Sequence, residues 1–288
     1  MLKSKEGIMV HPELDIELER FREFLSEALA EGGTQPLIQL TDEELAVLDP
    51  DALEEVVAPT PHLATLNSEQ RELVLATAIR SLVSRGAIDI ANIPELDALM
   101  RSEGKFENGG MADLEMRVTP DVDLALVLRR TAVKALAVEQ QTSRGSVHGF
   151  VYVHSPELML IEQVTGGGMH IFTLANSAGD AAQLMQALVD PFGVADRDGK
   201  EQQLDPTALT SDQVDGPLAE AINNALVVCQ LIVLADQPGP LVTAYATEDA
   251  VWTVSVDKPQ APTGIRARKV GERTLNSEIV RLITMPAL

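Results

Sequence analysis

The stretch GFVYVHSPELMLIEQV, Gly149 to Val164, decides the fold. Its β-branched and aromatic residues form two runs of strand length, parted by the turn sequence Ser155-Pro156-Glu157. Alternation with a period of two sends Phe150, Tyr152 and His154 to one face and Val151 and Val153 to the other. Upstream, Ala132 to Gln141 is a further strand. Downstream, the loop Gly166-Gly167-Gly168 leads to a strand from Met169 to Ala175, and Asn176-Ser177 opens a helix. Four strands joined by short turns make an antiparallel meander, whose apolar face the next helix covers.

The same succession recurs further along. Strands are expected over Val227–Ala235, Leu241–Ala246 and Val251–Val256, with a turn at Thr247-Glu248-Asp249. A loop from Pro259 to Gly264 then leads to Ile265–Val270, and a last helix opens at Asn276-Ser277. Here Val251, Thr253 and Ser255 alternate with Trp252, Val254 and Val256. The offset is about 92 residues at the second and third strands and about 100 at the helix, because the loop before the fourth strand is longer in the second set. Helical stretches, Asp121–Arg129 and Pro217–Ala225, precede the two sets. We therefore expect an internal duplication, with copies at about 121–190 and 217–288. The copies either share one sheet or pack as a pseudo-dimer, with Asp190–Thr210 as the exposed connection.

The first 110 residues read as helical. Pro12 begins a helix that runs to Ala30 before Gly32-Gly33, with Leu14, Leu18, Phe21, Leu25 and Ala28 on one stripe. That stripe docks on its own domain or on a partner. Thr41-Asp42-Glu43-Glu44 caps a short helix ending at Asp49-Pro50, and Asp51 to Ala58 is a second helical stretch. Asn67-Ser68-Glu69 opens a longer helix that stops at Arg85-Gly86, after which Ala87 to Ile90 extends as a strand. Three short helices followed by a strand resemble a winged-helix domain. As a DNA reader it is poor, since Arg71 and Arg80 stand among Glu69 and Glu72. The polar, glycine-rich residues 101–112 mark a domain boundary, with a wing hairpin through Leu114–Val118 as the rival. Pro120 starts a short helix or strand. The expected class is α+β: a helical, winged-helix-like domain over 1–110, then a duplicated antiparallel β-meander-plus-helix domain over 111–288.

Composition narrows the function. The 288 residues carry a net charge of −22, with 26 acidic and 10 basic residues in 1–128 against 18 and 12 in 129–288. That balance repels nucleic-acid backbones and anionic membrane surfaces and favours cationic or apolar partners. The single cysteine, Cys229, lies in an apolar run and is expected to pack in the core of a cytoplasmic protein. There is no apolar run of membrane-spanning length.

No catalytic, cofactor or metal site is expected. His148, His154 and His170 cluster in the first copy, yet no Cys, Asp or Glu accompanies them at recurring ligand spacing, so structural histidines are expected. Glu139 and Glu162 are paired carboxylates only if their strands align, and solvated positions are the simpler expectation. Gly166-Gly167-Gly168 joins strand to strand and so lacks the helix of a phosphate cradle. Asp196-Arg197-Asp198-Gly199 starts like a calcium loop, but Lys200 and Glu201 break it. Ser143, Ser146 and Ser155 lack a nucleophile turn. For partner binding, Phe150, Tyr152, Met169 and Trp252 are the candidate anchors, because aromatics and methionine dominate interface hot spots; core packing is the competing role for each.

With its strand-meander-plus-helix plan, acidic and aromatic-poor composition and chain length near 290, the region from about Asp121 to Met285 resembles the EspG family, cytosolic chaperones of the actinobacterial type VII (ESX) secretion system. The first 110 residues depart from that family. The resemblance implies a non-enzymatic cytoplasmic protein that shields an apolar patch on a secreted partner. A homo-oligomer is the other partner expectation. The alternative function is a transcriptional regulator with a winged-helix head and a ligand- or dimer-forming tail.

Overall fold

The computed structural model describes residues 32–50, 58–92, 94, 115–205, 214–235, 239–260, 262 and 264–286. In chain order its elements begin with β1 (Thr34–Thr41), α1 (Asp42–Leu48), α2 (Ser68–Ser84), β2 (Ile88–Ile90), β3 (Met116–Val118) and α3 (Pro120–Thr131). Next come β4 (Lys134–Thr142), β5 (Gly145–Ser155), β6 (Leu158–Val164), β7 (Met169–Ala175), α4 (Ala178–Val189) and β8 (Gln202–Leu204). The last are α5 (Pro217–Asn223), β9 (Val227–Leu234), β10 (Leu241–Ala246), β11 (Val251–Val256), β12 (Ile265–Val270) and α6 (Glu272–Thr284).

Ten of these strands form one antiparallel sheet in the order β1-β7-β6-β5-β4-β9-β10-β11-β12-β8, and β2 pairs with β3 separately. The protein is thus α+β with a large antiparallel sheet. Both meanders sit where alternation places them, and they share the one sheet: β4 and β9 run antiparallel at its centre, Thr142 opposite Val227 and Ala135 opposite Leu234.

Helix starts follow the capping rules. Thr41 and Glu44 exchange side-chain-to-backbone hydrogen bonds at the head of α1, and Asn67 and Gln70 do the same for α2. α3 has Pro120 in its first turn with Asp121 and Asp123, and Arg129 and Arg130 in its last, the charge order that the helix dipole favours.

Several expectations change. Residues 34–41, TQPLIQLT, are a full strand beside β7. The connection after Asp190 contributes β8 to the opposite sheet edge. α6 begins at Glu272, so Asn276 and Ser277 lie inside it, and the Ser277 hydroxyl donates to the Arg273 carbonyl. Its cap comes from far away: Asp198 accepts from the Gly271 amide at 2.9 Å and the Thr274 hydroxyl at 2.8 Å. The Gly271 hydrogen bond, with that of Thr274, lowers the Asp198 pKa, and this is the role of the Asp196–Gly199 segment. Around 101–112, β2 and β3 pair across the intervening chain, and one core takes residues from Leu40 to Leu174, on both sides of that stretch. The expected helix over Pro12–Ala30, residues 51–57 of the next, and the 101–112 stretch lie outside the described residues.

The two sheet faces are covered differently. Val151, Val153, Met159, Ile161, Cys229, Leu231 and Val233 face α4 and α6, which pack on them through Ala181, Met185, Leu275 and Ile279. The Cys229 thiol is buried there, and burial pushes its pKa up to about 12. On the other face Phe150, Tyr152, Leu160, Phe172 and Leu174 lie under α1 and α3, with α2 packed on α1 in the same core. The far end of that face, Val254, Ile265 and Ala267, lies under Leu218 of α5. Between these two coverings runs β9.

Candidate functional site

Under α1 and α3 the sheet face carries charge where its pattern calls for apolar residues. Glu162 follows Leu160 on β6, and His170 precedes Phe172 on β7, each on the same side of the sheet as the residue two away. Both are fully buried. The His170 ring lies between two carboxylates, Nδ1 at 2.6 Å from Glu162 Oε1 and Nε2 at 2.8 Å from Asp42 Oδ1. Glu162 Oε2 also accepts from the Tyr152 hydroxyl at 2.6 Å and from Arg129 Nε at 3.0 Å. Arg129 lies 3.7 Å from Asp49 at the end of α1, and Arg130 pairs with that same carboxylate.

Asp42 is the hinge of this arrangement. Its backbone amide donates to the Gly168 carbonyl at 2.9 Å. Its second carboxylate oxygen accepts from the His62 and Leu63 amides at 2.7 and 3.1 Å, which fixes the turn leading to α2. Next to it Glu44, also buried, accepts from the Ser81 hydroxyl of α2 at 2.8 Å and pairs with Arg85 at 3.1 Å. Arg85 in turn donates to the Gln39 carbonyl of β1 at 2.8 Å.

The electrostatics follow from burial and pairing. Burial alone pushes the Glu162 carboxyl up, but the His170 hydrogen bond and the Arg129 charge outweigh it and hold the pKa below the usual range. Burial likewise disfavours the His170 cation, and the hydrogen bonds and charges of Asp42 and Glu162 overcome it, so the pKa is raised. Burial, and next the Glu162 charge, push the Tyr152 phenol well above its usual value. The cluster ties α1, α3, β5, β6 and β7 together. Its central groups, with Asp42, Glu162 and His170 at 0% exposure, present no face to a ligand in solution.

Gly168 shows how tightly the cluster is built. It has φ +75, and a Cβ there would lie 2.8 Å from the Asp42 carboxyl carbon and 2.9 Å from His62 Cβ. Gly166–Gly168 is therefore a hairpin loop shaped around Asp42. Gly168→Ala combines left-handed strain with a clash against a pinned carboxylate, and is expected to cost about 2 kcal/mol or more in a urea titration. Glu162, expected to be solvated, is instead the most enclosed carboxylate of the sheet, because α1 and α3 lie on it. Glu139 remains half-buried and bonds Gln141 at 2.9 Å. The three histidines part company: His154 reaches the Leu128 carbonyl at 2.8 Å, His148 stacks near Phe150, and His170 joins the cluster. Among the described residues no group of three or more His, Cys, Asp or Glu is arranged to hold a metal ion.

The four candidate anchors do not form one surface. Phe150 and Tyr152 stack at 6.1 Å inside the core, and Tyr152 serves Glu162. Packing within the chain therefore occupies both. Met169 and Trp252 are half-buried, on β7 and β11, six strand spacings or about 29 Å apart across the sheet.

A different surface is open. On β9 the residues facing away from α4 and α6 are Val228, Gln230, Ile232 and Leu234, and Ile232 and Leu234 are 37% and 38% exposed. Across the strand pairs they adjoin Ala137 and Glu139 of β4 and Leu241, Thr243 and half-buried Tyr245 of β10. Tyr245 lies opposite Trp252. The middle of the sheet thus offers a shallow channel, apolar at Ile232 and Leu234 and polar at Gln230, Thr243 and Glu139, between the α1–α3 layer and α5. Sequence reasoning passed over it because Ile232 and Leu234 read as ordinary strand residues; the exposed Gln230 in their register was the available signal. No protein-family model matches the chain, and no curated protein matches it in sequence.

Proposed function

We propose that the chain is a non-catalytic, cytoplasmic protein-binding module of secretion-chaperone type. The observation that carries this reading is the open β9 channel: apolar side chains exposed at the centre of a sheet whose other regions on that face are covered. Exposed apolar surface on a rigid sheet binds by burial, at roughly 25 cal/mol per Å2 of apolar area. Glu139 beside it, and the net charge of −22, favour a polypeptide whose apolar side chains stand next to cationic ones. The two meanders are copies of one unit in this proposal. Supporting that, the order outward from the centre is β4, β5, β6, β7 on one side and β9, β10, β11, β12 on the other, each ending in a helix, and α4 and α6 pack together. For the N-terminal part, α1, the Leu63–Thr65 turn, α2 and the β2–β3 pair support a winged-helix arrangement that serves packing, since α2 packs on α1 and β2 while α1 lies on β1.

The test is affinity purification of the tagged full-length chain and of an Ile232→Glu/Leu234→Glu variant from native cytosol. A polypeptide recovered in stoichiometric amount with the wild type and lost with the variant supports the reading. Both substitutions are at exposed positions, so the melting temperature is expected to move little. Retention of the same polypeptide by the folded variant sinks this surface.

A further inference from the structure

We infer that the His170 imidazolium, bridging Glu162 on β6 and Asp42 at the head of α1, is a proton-operated latch that holds α1 and α2 on the sheet and releases them when the ring loses its proton. With both carboxylates ionised, the geometry calls for two donors on the ring. Both ring nitrogens lie within hydrogen-bond distance of carboxylate oxygens, and those carboxylates belong to different elements. A neutral ring has one N–H and one lone pair, so on deprotonation one carboxylate would face a lone pair at under 3 Å in a site without solvent.

Among the described residues the neighbouring charges are already engaged with one another. From α1, Asp42 touches the ring, with Glu44 and Asp49 further along the same helix. β6 supplies Glu162 and β5 the Tyr152 phenol. α3 supplies Arg129 and Arg130, committed to Glu162 and Asp49. Beyond Asp42, His62 pairs with Glu43 and Arg85 with Glu44. Among the described residues, Asp42, Asp49 and Glu162 face Arg129, Arg130 and His170, and the ring adds its positive charge only while it is protonated.

The mechanical consequence runs through Asp42. His170 sits opposite Leu40 in the β1–β7 pair, and Asp42 carries both the first turn of α1 and the amides of His62 and Leu63 ahead of α2. Losing the His170 contact removes the side-chain tie from Asp42 to the sheet and leaves its amide bond to Gly168 and the Glu44–Arg85 pair to hold these segments. Since the folded-state pKa is raised, the contribution is complete below the ordinary value of 6.5 and is lost as pH rises from there through the folded pKa. The latch therefore opens on the alkaline side. This inference stands on the buried cluster and is independent of the β9 channel.

Two measurements on the full chain test it. Nitrogen-15 NMR of the imidazole rings is expected to show a buried histidine with both nitrogens protonated at pH 6.5; a single protonated nitrogen on His170 overturns the latch. Hydrogen exchange, corrected for the intrinsic rate, is expected to show the opening constant of α1 and α2 amides rising by up to about tenfold per pH unit above pH 6.5, with α6 amides unchanged. His170→Gln is expected to abolish that slope. A flat response in the wild type, or the same slope in the folded variant, overturns the proposal, and the wild-type measurements decide it if the variant does not fold.

Discussion

Glu162→Leu is expected to lower the stability of the fold by about 3–5 kcal/mol, the cost of removing one partner from a buried ion pair. The substitution suits the apolar register of β6, where Leu160 and Val164 are its same-face neighbours, and leucine is a good fit by hydrophobicity alone. The loss comes from what remains. Arg129, 6% exposed along its side chain, would lose its closest carboxylate and keep Asp49 at 3.7 Å, the Tyr152 hydroxyl would lose its acceptor, and His170 would keep Asp42. A urea titration followed by tryptophan fluorescence measures it. A change below about 0.5 kcal/mol, as for a solvated surface glutamate, would contradict the cluster as described. Replacing Glu162, His170 and Arg129 together by apolar residues is expected to recover only part of the loss, because Asp42, at 0% exposure, then stays buried without its cation.

Phe172→Ala is the second large effect, about 3–5 kcal/mol. Phe172 is 1% exposed, lies between Glu162 of β6 and Ile38 of β1 in the strand pairing, and stacks near His170 with ring centroids 6.4 Å apart. Truncating it opens a cavity where β1, α1 and the cluster meet. Trp252→Ala, on the more open half, is expected to cost less than half as much, since the ring is only half-buried and its surroundings can relax. Equal losses at the two positions would mean that both halves of this face are equally closed.

Much of this architecture is written locally, and the remainder is not. The strands β4 to β7 and β9 to β12 were legible because alternation with turns such as Ser155-Pro156-Glu157 specifies a meander by short-range contacts. α1 and α2 were legible because Thr41 with Glu44, and Asn67 at the head of α2, mark helix starts. β1 was not: TQPLIQLT contains Pro36 and alternates weakly, and it becomes a strand because β7 offers an edge. β8 is three residues in a polar stretch, held only by β12. The start of α6 was misplaced because Asn276-Ser277 imitates a cap, while the actual cap, Asp198, lies over 70 residues away in sequence.

The charged cluster hid for a related reason. Glu162 and His170 looked like a solvated carboxylate and a structural histidine, since charge by itself suggests exposure. Their register said otherwise, for both alternate with large apolar residues, Leu160 and Val164 in one strand and Phe172 and Leu174 in the other. What no local pattern carries is that Asp42, 128 residues from His170, completes the pair.

One face of the sheet is closed by the cluster and its helices and left open at β9. Thiol labelling of the native full-length chain tests it directly, with Ile232→Cys and Leu160→Cys compared in turn. Cys229 is buried with its pKa pushed up to about 12, so it stays a silent background. The thiol at 232, at a 37% exposed position, is expected to react in the native state, and the one at 160, at a fully buried position, only on unfolding. A thiol at 232 as protected as that at 160 would contradict it, because the β9 channel would then be covered by the chain itself.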